Sequence, residues 1–167
     1  MNIRIIMDYL IERTFDVLRE VYNNQREGKG VFSSNCGSRI VFPQNRDGKI
    51  RVSEQELRLV FVEQFNKIAK DNNLYYSVET PTRGKYSFSQ KEKPCVDKNG
   101  QSGEFDMVIH NEQGKRICLI EFKANFPAVS GYEKDFLKLE KVKYYIDTGR
   151  SLERFPFLHT EPNGGGI

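Results

Sequence analysis

Between Gly103 and Pro127 the chain reads GEFDMVIHNEQGKRICLIEFKANFP, and three residues in it, Asp106, Glu121 and Lys123, are of types that together handle phosphate chemistry. Two carboxylates brought face to face repel and raise each other's pKa, unless a divalent cation sits between them and keeps both ionised as hard oxygen ligands. Magnesium, or manganese in its place, suits such a pair. A lysine two residues beyond Glu121 on the same strand face would put an ammonium beside the ion. There it can orient or help deprotonate a water and offset charge building on a phosphate. The chemistry these residues suit is phosphodiester hydrolysis.

Such a trio works only if local structure holds it together, and the flanking residues supply a reason. Residues 105–110 and 116–124 are apolar runs separated by Asn111-Glu112-Gln113-Gly114-Lys115, which predicts an antiparallel hairpin. Pairing across that turn brings Asp106 opposite Glu121 to within a register step. Alternation puts Ile117, Leu119, Glu121 and Lys123 on one face and Cys118, Ile120, Phe122 and Ala124 on the other. An E-x-K triplet by itself is common at strand ends, where Glu and Lys meet water and a nearby Asp merely pairs with the Lys. The strand-borne Asp across the hairpin makes the arrangement more specific.

An Asp on one strand and Glu121-Phe122-Lys123 closing the next resembles the signature of the PD-(D/E)XK nuclease superfamily. The wording SEQELR, FVEQF, YYSVETP, EFD, IEFKAN and KDFLKLE is similar to that of uncharacterised bacterial restriction-endonuclease-like proteins. The resemblance covers about residues 53–146. It implies an α/β fold: a restriction-endonuclease-like αβββαβ core with a mixed central sheet flanked by helices, here with an N-terminal helical extension. The elements fall in that order. A helix over 54–70, capped by Ser53, carries Leu57, Phe61, Phe65 and Ile68 at helical spacing. A first strand covers 74–79, the hairpin gives the next two, a second helix spans 132–143, and a last strand starts at 144–146. The Pro that often precedes the Asp is replaced by Phe105. The resemblance further implies a Mg2+-dependent nuclease with DNA a likelier substrate than RNA. Asp106 and Glu121 would be metal ligands, joined by the backbone carbonyl of Phe122, and Lys123 would be catalytic.

Members of the superfamily often add a glutamate from the first helix. Glu56 is the first choice and Glu63 the second, Glu54 being the other acid there. Glu56 is equally suited to a capping box, bonding back to the backbone amide of Ser53. From 80 to 103 the chain is rich in Lys, Pro and Gly. Arg83, Lys85, Lys91 and Lys93 with Tyr86 and Phe88 suit either a loop that grips phosphates or a plain solvated connector.

The 167 residues are expected to form one core domain (53–146), an N-terminal helix and arm (1–52) and a C-terminal tail (147–167) that reads as disordered or as a truncated end. A net charge of +3 is too small to argue for nucleic acid by itself. Three cysteines, widely spaced, form neither a disulfide framework nor a C-x-x-C pair, which reads as cytoplasmic. Only His110 and His159 are present, so no His-based zinc site and no Ser-His-Asp pattern is expected; His110 should simply end its strand near the turn. The first 25 residues form an amphipathic helix with Met7, Leu10, Ile11, Phe15, Leu18 and Tyr22 on one side. Its charges exclude a membrane span. Core packing is the favoured use of that stripe, and a homodimer contact the alternative. Runs at 30–32 and 39–42 suggest a small hairpin or an arm. Two rival functions stand beside the nuclease: a non-catalytic nucleic-acid-binding or protein-interaction module of the same fold, and an assembly module using the N-terminal helix and arm.

Overall fold

The computed structural model describes residues 2–29, 36–87, 95–96 and 99–123. The expected second helix, last strand and tail, together with Lys91 and Lys93, lie outside the described residues. What is described is a mixed α and β fold in the order α1 (Ile3–Arg26), α2 (Glu54–Ala69), β1 (Tyr75–Ser87), β2 (Cys95–Val96), β3 (Gln101–His110) and β4 (Arg116–Ile120). The chain divides into two compact units. One holds Met1–Asn72 together with the segment starting at Phe122, and the other holds Asn73–Glu121.

In the first unit, α1 begins where Asn2 Oδ1 accepts from Arg4 N at 2.8 Å and ends at Gly28, whose φ of +66° lets the chain turn off the last carbonyls. Ile6, Met7, Leu10, Thr14, Val17, Leu18 and Val21 are buried on one stripe, and the helix packs against α2. The stripe therefore serves the core, rotated slightly from the expected one: Ile11, Phe15 and Tyr22 are half-buried while Val17 and Val21 are inside. Residues 36–51 form an arm fastened by polar bonds. Gln25 acts as a clamp, its Nε2 donating to Phe42 O at 3.0 Å and its Oε1 accepting from Phe42 N at 2.8 Å. Ser38 Oγ donates to Glu63 Oε2 at 2.7 Å, and Tyr22 meets Phe42 edge-on. A tight turn within the arm is closed by a bridge between Gln44 and Ile50.

Helix α2 buries Leu57, Val60, Phe61, Gln64, Phe65 and Ala69. Asn72 Nδ2 bonds Ile68 O at 2.8 Å, and Asn73, at φ 50°, turns the chain toward β1. At its start, Glu56 Oε2 accepts from Ser53 N at 2.8 Å and also from Ser53 Oγ, with Arg51 Nη2 at 3.6 Å from Oε1. These bonds satisfy backbone donors that an unbroken helix start leaves open. We expect Ser53→Ala to destabilise the protein by about 1 kcal/mol in urea unfolding, as capping losses do, while Glu56→Gln, which can still accept from Ser53 N, costs less.

The second unit is an antiparallel sheet in the order β2-β1-β3-β4, in which β2 is only two residues long. The β3–β4 turn forms as its residues predict. Asn111 Oδ1 accepts from Gln113 N and Lys115 N, Asn111 N bonds Lys115 O at 3.0 Å, and Gly114 takes φ +69°. The strands differ from expectation in extent. Strand β1 does not stop at Glu79 but runs on through Pro81 to Ser87, pairing Lys85 with Ser102 and Tyr86 with Gln101. The polar 80–87 stretch is therefore strand, because β3 begins at Gln101 rather than Phe105 and offers it a ladder; the irregularity between Pro81 and Lys85 accommodates a proline that cannot donate. Strand β4 ends at Ile120, short of the expected 124. Phe105, Met107, Val108 and Ile109 are fully buried, and β3 lies between β1 and β4 in the sheet. No described helix is long and apolar enough to cross a membrane.

Candidate functional site

The register of the hairpin decides whether the predicted carboxylates meet. Ile109 pairs with Cys118, Val108 with Leu119 and Met107 with Ile120. Continued one step past the end of β4, the same register would bring Asp106 across from Glu121. Directly opposed residues on antiparallel strands have Cβ atoms about 4.5–5.5 Å apart, a separation one chelated ion can span. The bulge between Ile109 and His110 takes up the one-residue uncertainty of the turn, and its effect stays at the turn end of the hairpin. Asp106 is half-buried between the fully buried Phe105 and Met107, and Glu121 is 5% exposed. A carboxylate that deep needs compensation by donors or cations, since desolvation alone costs several kcal/mol.

The same register on the other side of β3 exposes a residue the sequence did not single out. Val78 pairs with Met107 and Thr80 with Phe105, so Glu79 is level with Asp106. Glu79, exposed, and Asp106, half-buried, thus sit level on β1 and β3, with the buried Glu121 just past the end of β4. Glu79 has φ 47°, a left-handed conformation that is uncommon for a non-glycine residue in a strand. The bond between Ser77 and Thr80 hydroxyls, 2.6 Å, brackets it. Glu79 was legible as the last residue of the expected first strand, but nothing in a sequence sets the register between β1 and β3. Among the described residues, no group of three His, Cys, Asp or Glu side chains converges as a metal cage. Asp106 and Glu121 could supply two oxygen donors, which would suit an ion that retains water or takes the rest of its shell from substrate.

The remaining predicted residues fall in several places. Lys123 is mostly buried, with Nζ 4.0 Å from Glu54 Oε1. Phe122 is buried and its ring meets Phe61 edge-on, centroids 5.4 Å apart. Of the two roles open to Glu56, the structure shows the capping one, and Glu63 holds Ser38 of the arm. Arg83 and Lys85 lie on β1 rather than on a loop, Lys85 exposed. Cys118, buried in β4, has its thiol pushed up to about 12 by desolvation, so it stays protonated and inert at neutral pH. His110 does more than end its strand: Nε2 is 2.8 Å from Ser77 Oγ and Nδ1 is 3.2 Å from Gly114 O. That pairing joins residues 33 apart in sequence and left no local signal.

No family model matches the chain, and neither a curated protein nor a solved structure does.

Proposed function

We propose that this protein is a metal-dependent nuclease with a restriction-endonuclease-like core, hydrolysing phosphodiester bonds with Mg2+ or Mn2+ and acting on DNA in preference to RNA. The observation that supports the reading is the hairpin register, which pairs Met107 with Ile120, the neighbours of Asp106 and Glu121. Opposed carboxylates at the end of an apolar strand pair repel each other, and a divalent ion turns that repulsion into binding energy. Asp106 and Glu121 would hold the ion, with the Phe122 carbonyl a further donor. When bound, such an ion polarises the phosphoryl oxygen and lowers the pKa of a ligated water. The chain's own residues do the rest. Phe122, next in the chain after Glu121, has its ring edge-on to Phe61. Lys123, two residues on from Glu121, supplies a cation to place water and offset charge on the phosphate. Lys85 and Arg83 on β1 suit contacts to the sugar-phosphate backbone, which add affinity without reading sequence.

The direct test is incubation with supercoiled, linear and single-stranded DNA, each with Mg2+, with Mn2+ and with EDTA. Cutting that appears with metal and disappears with EDTA is the expected result. Binding of DNA with no cutting of any substrate would instead favour the non-catalytic module of the same fold. Lys123→Ala should lower the cleavage rate by about a hundredfold or more while metal affinity changes little, since an ammonium aimed at developing charge acts on the transition state. A parallel drop in metal affinity would assign Lys123 to holding the site rather than to the chemistry.

A further inference from the structure

The hydrogen bonds around His110 run in one direction once the turn is taken into account. Gly114 O can only accept, so His110 Nδ1, 3.2 Å away, carries the proton of the neutral imidazole. Nε2 is then a lone pair, and Ser77 Oγ at 2.8 Å must donate to it. With its proton so committed, Ser77 Oγ accepts from Thr80 Oγ1 at 2.6 Å. The chain is Thr80 to Ser77 to His110 to Gly114, each donating to the next. The acceptor at its end is rigid, because Gly114 belongs to the hairpin turn closed by Asn111.

Two parts of the arrangement that makes a serine hydroxyl nucleophilic are here, a base on the proton and a third group fixing the tautomer of the base, and the Thr80 bond holds the Ser77 hydroxyl in the rotamer that faces His110. Thr80 is 7% exposed, so its hydroxyl acts in a partly dry setting where it counts for more than in water. Ser77 and His110 are half-buried, within reach of solvent, and the exposed Tyr75, paired with His110 in the ladder, flanks them with apolar surface.

We propose that Ser77 is an activated nucleophile with His110 as its general base and that the site cleaves small activated carboxylic esters. Ser77 Oγ bonds to the ester carbonyl carbon as its proton passes to His110 Nε2; the resulting imidazolium stays oriented by Gly114 O. The carbon-oxygen bond to the leaving group then breaks, the leaving alkoxide takes the proton from Nε2, and an acyl-serine remains. A water that gives its proton to Nε2 attacks that acyl group, releases the carboxylic acid, and the proton returns to Ser77. The site needs no metal and is independent of Asp106 and Glu121.

The test uses p-nitrophenyl acetate and the whole protein in EDTA, with acetylation mapped by peptide mass spectrometry and p-nitrophenolate release followed by absorbance. The expected result is acetyl on Ser77 in the native protein, absent in urea. His110→Gln should slow Ser77 acetylation by about a hundredfold, the low end of what a positioned base contributes. Acetyl confined to lysines and the N-terminus would overturn the proposal. So would acetylation of Ser77 at equal rates in native protein, in urea and in His110→Gln. If His110→Gln does not fold, the comparison of native protein with urea still decides the matter.

Discussion

Asp106→Asn is expected to lower metal-dependent DNA cleavage by about a thousandfold or more while leaving the protein folded. Losing one of two charged ligands removes several kcal/mol of transition-state stabilisation, and about 4 kcal/mol corresponds to three decades in rate. The substitution keeps volume and one acceptor oxygen, so Asp106's half-buried position between Phe105 and Met107 remains filled. Without metal, the variant should be at least as stable as the native chain, because replacing Asp106 removes the like charge across from the buried Glu121. Cleavage gels and urea unfolding in EDTA check the two halves separately. An Asp106→Asn protein that cuts at the native rate would remove Asp106 from the site. One that fails to cut because it no longer folds would be recognised from its lost unfolding transition.

Phe61→Ala should cost about 3–5 kcal/mol, the range for deleting a fully buried aromatic and leaving a cavity. Phe61 is fully buried, on the inner face of α2, and touches Phe122 edge-on. Aromatic pairs of this kind add about 0.5–1.5 kcal/mol beyond the area they bury. Against a total stability of about 5–15 kcal/mol, the loss takes roughly a fifth or more of what holds the chain folded. The effect should reach function too, because Phe122 lies between Glu121 and Lys123. Urea unfolding followed by circular dichroism measures the first consequence, and cleavage by the protein that remains folded measures the second. Phe61→Ala with a loss under about 1 kcal/mol would mean that this ring pair contributes little to the core.

The hairpin was the most readable part of the chain because each local signal agreed. Asn111 and Gly114 specify the turn, and the apolar runs on either side have one register that keeps Met107 and Ile120 both inside. The helix after Ser53 was equally plain, from its cap at Ser53 to its apolar stripe. What escaped were features set by distant partners. The polar stretch after Glu79 carries Pro, Gly and charges and reads as a loop, yet it is a strand because residues before Phe105 pair with it. Glu79 is left-handed without being Gly or Asn, so no residue type announced it. Ser77 and His110 meet only through the β1–β3 register. Glu56 illustrates a different limit, since one residue in one place fitted two roles, and only the bonds from Ser53 show which is made.

The central claim is that Asp106 and Glu121 share a divalent ion, and calorimetric titration of Mn2+ and Mg2+ into the native protein and Asp106→Ala tests it most directly. The reading predicts saturable binding to the native protein at one site, lost in Asp106→Ala. Equal binding to both proteins, or binding to neither, would contradict it.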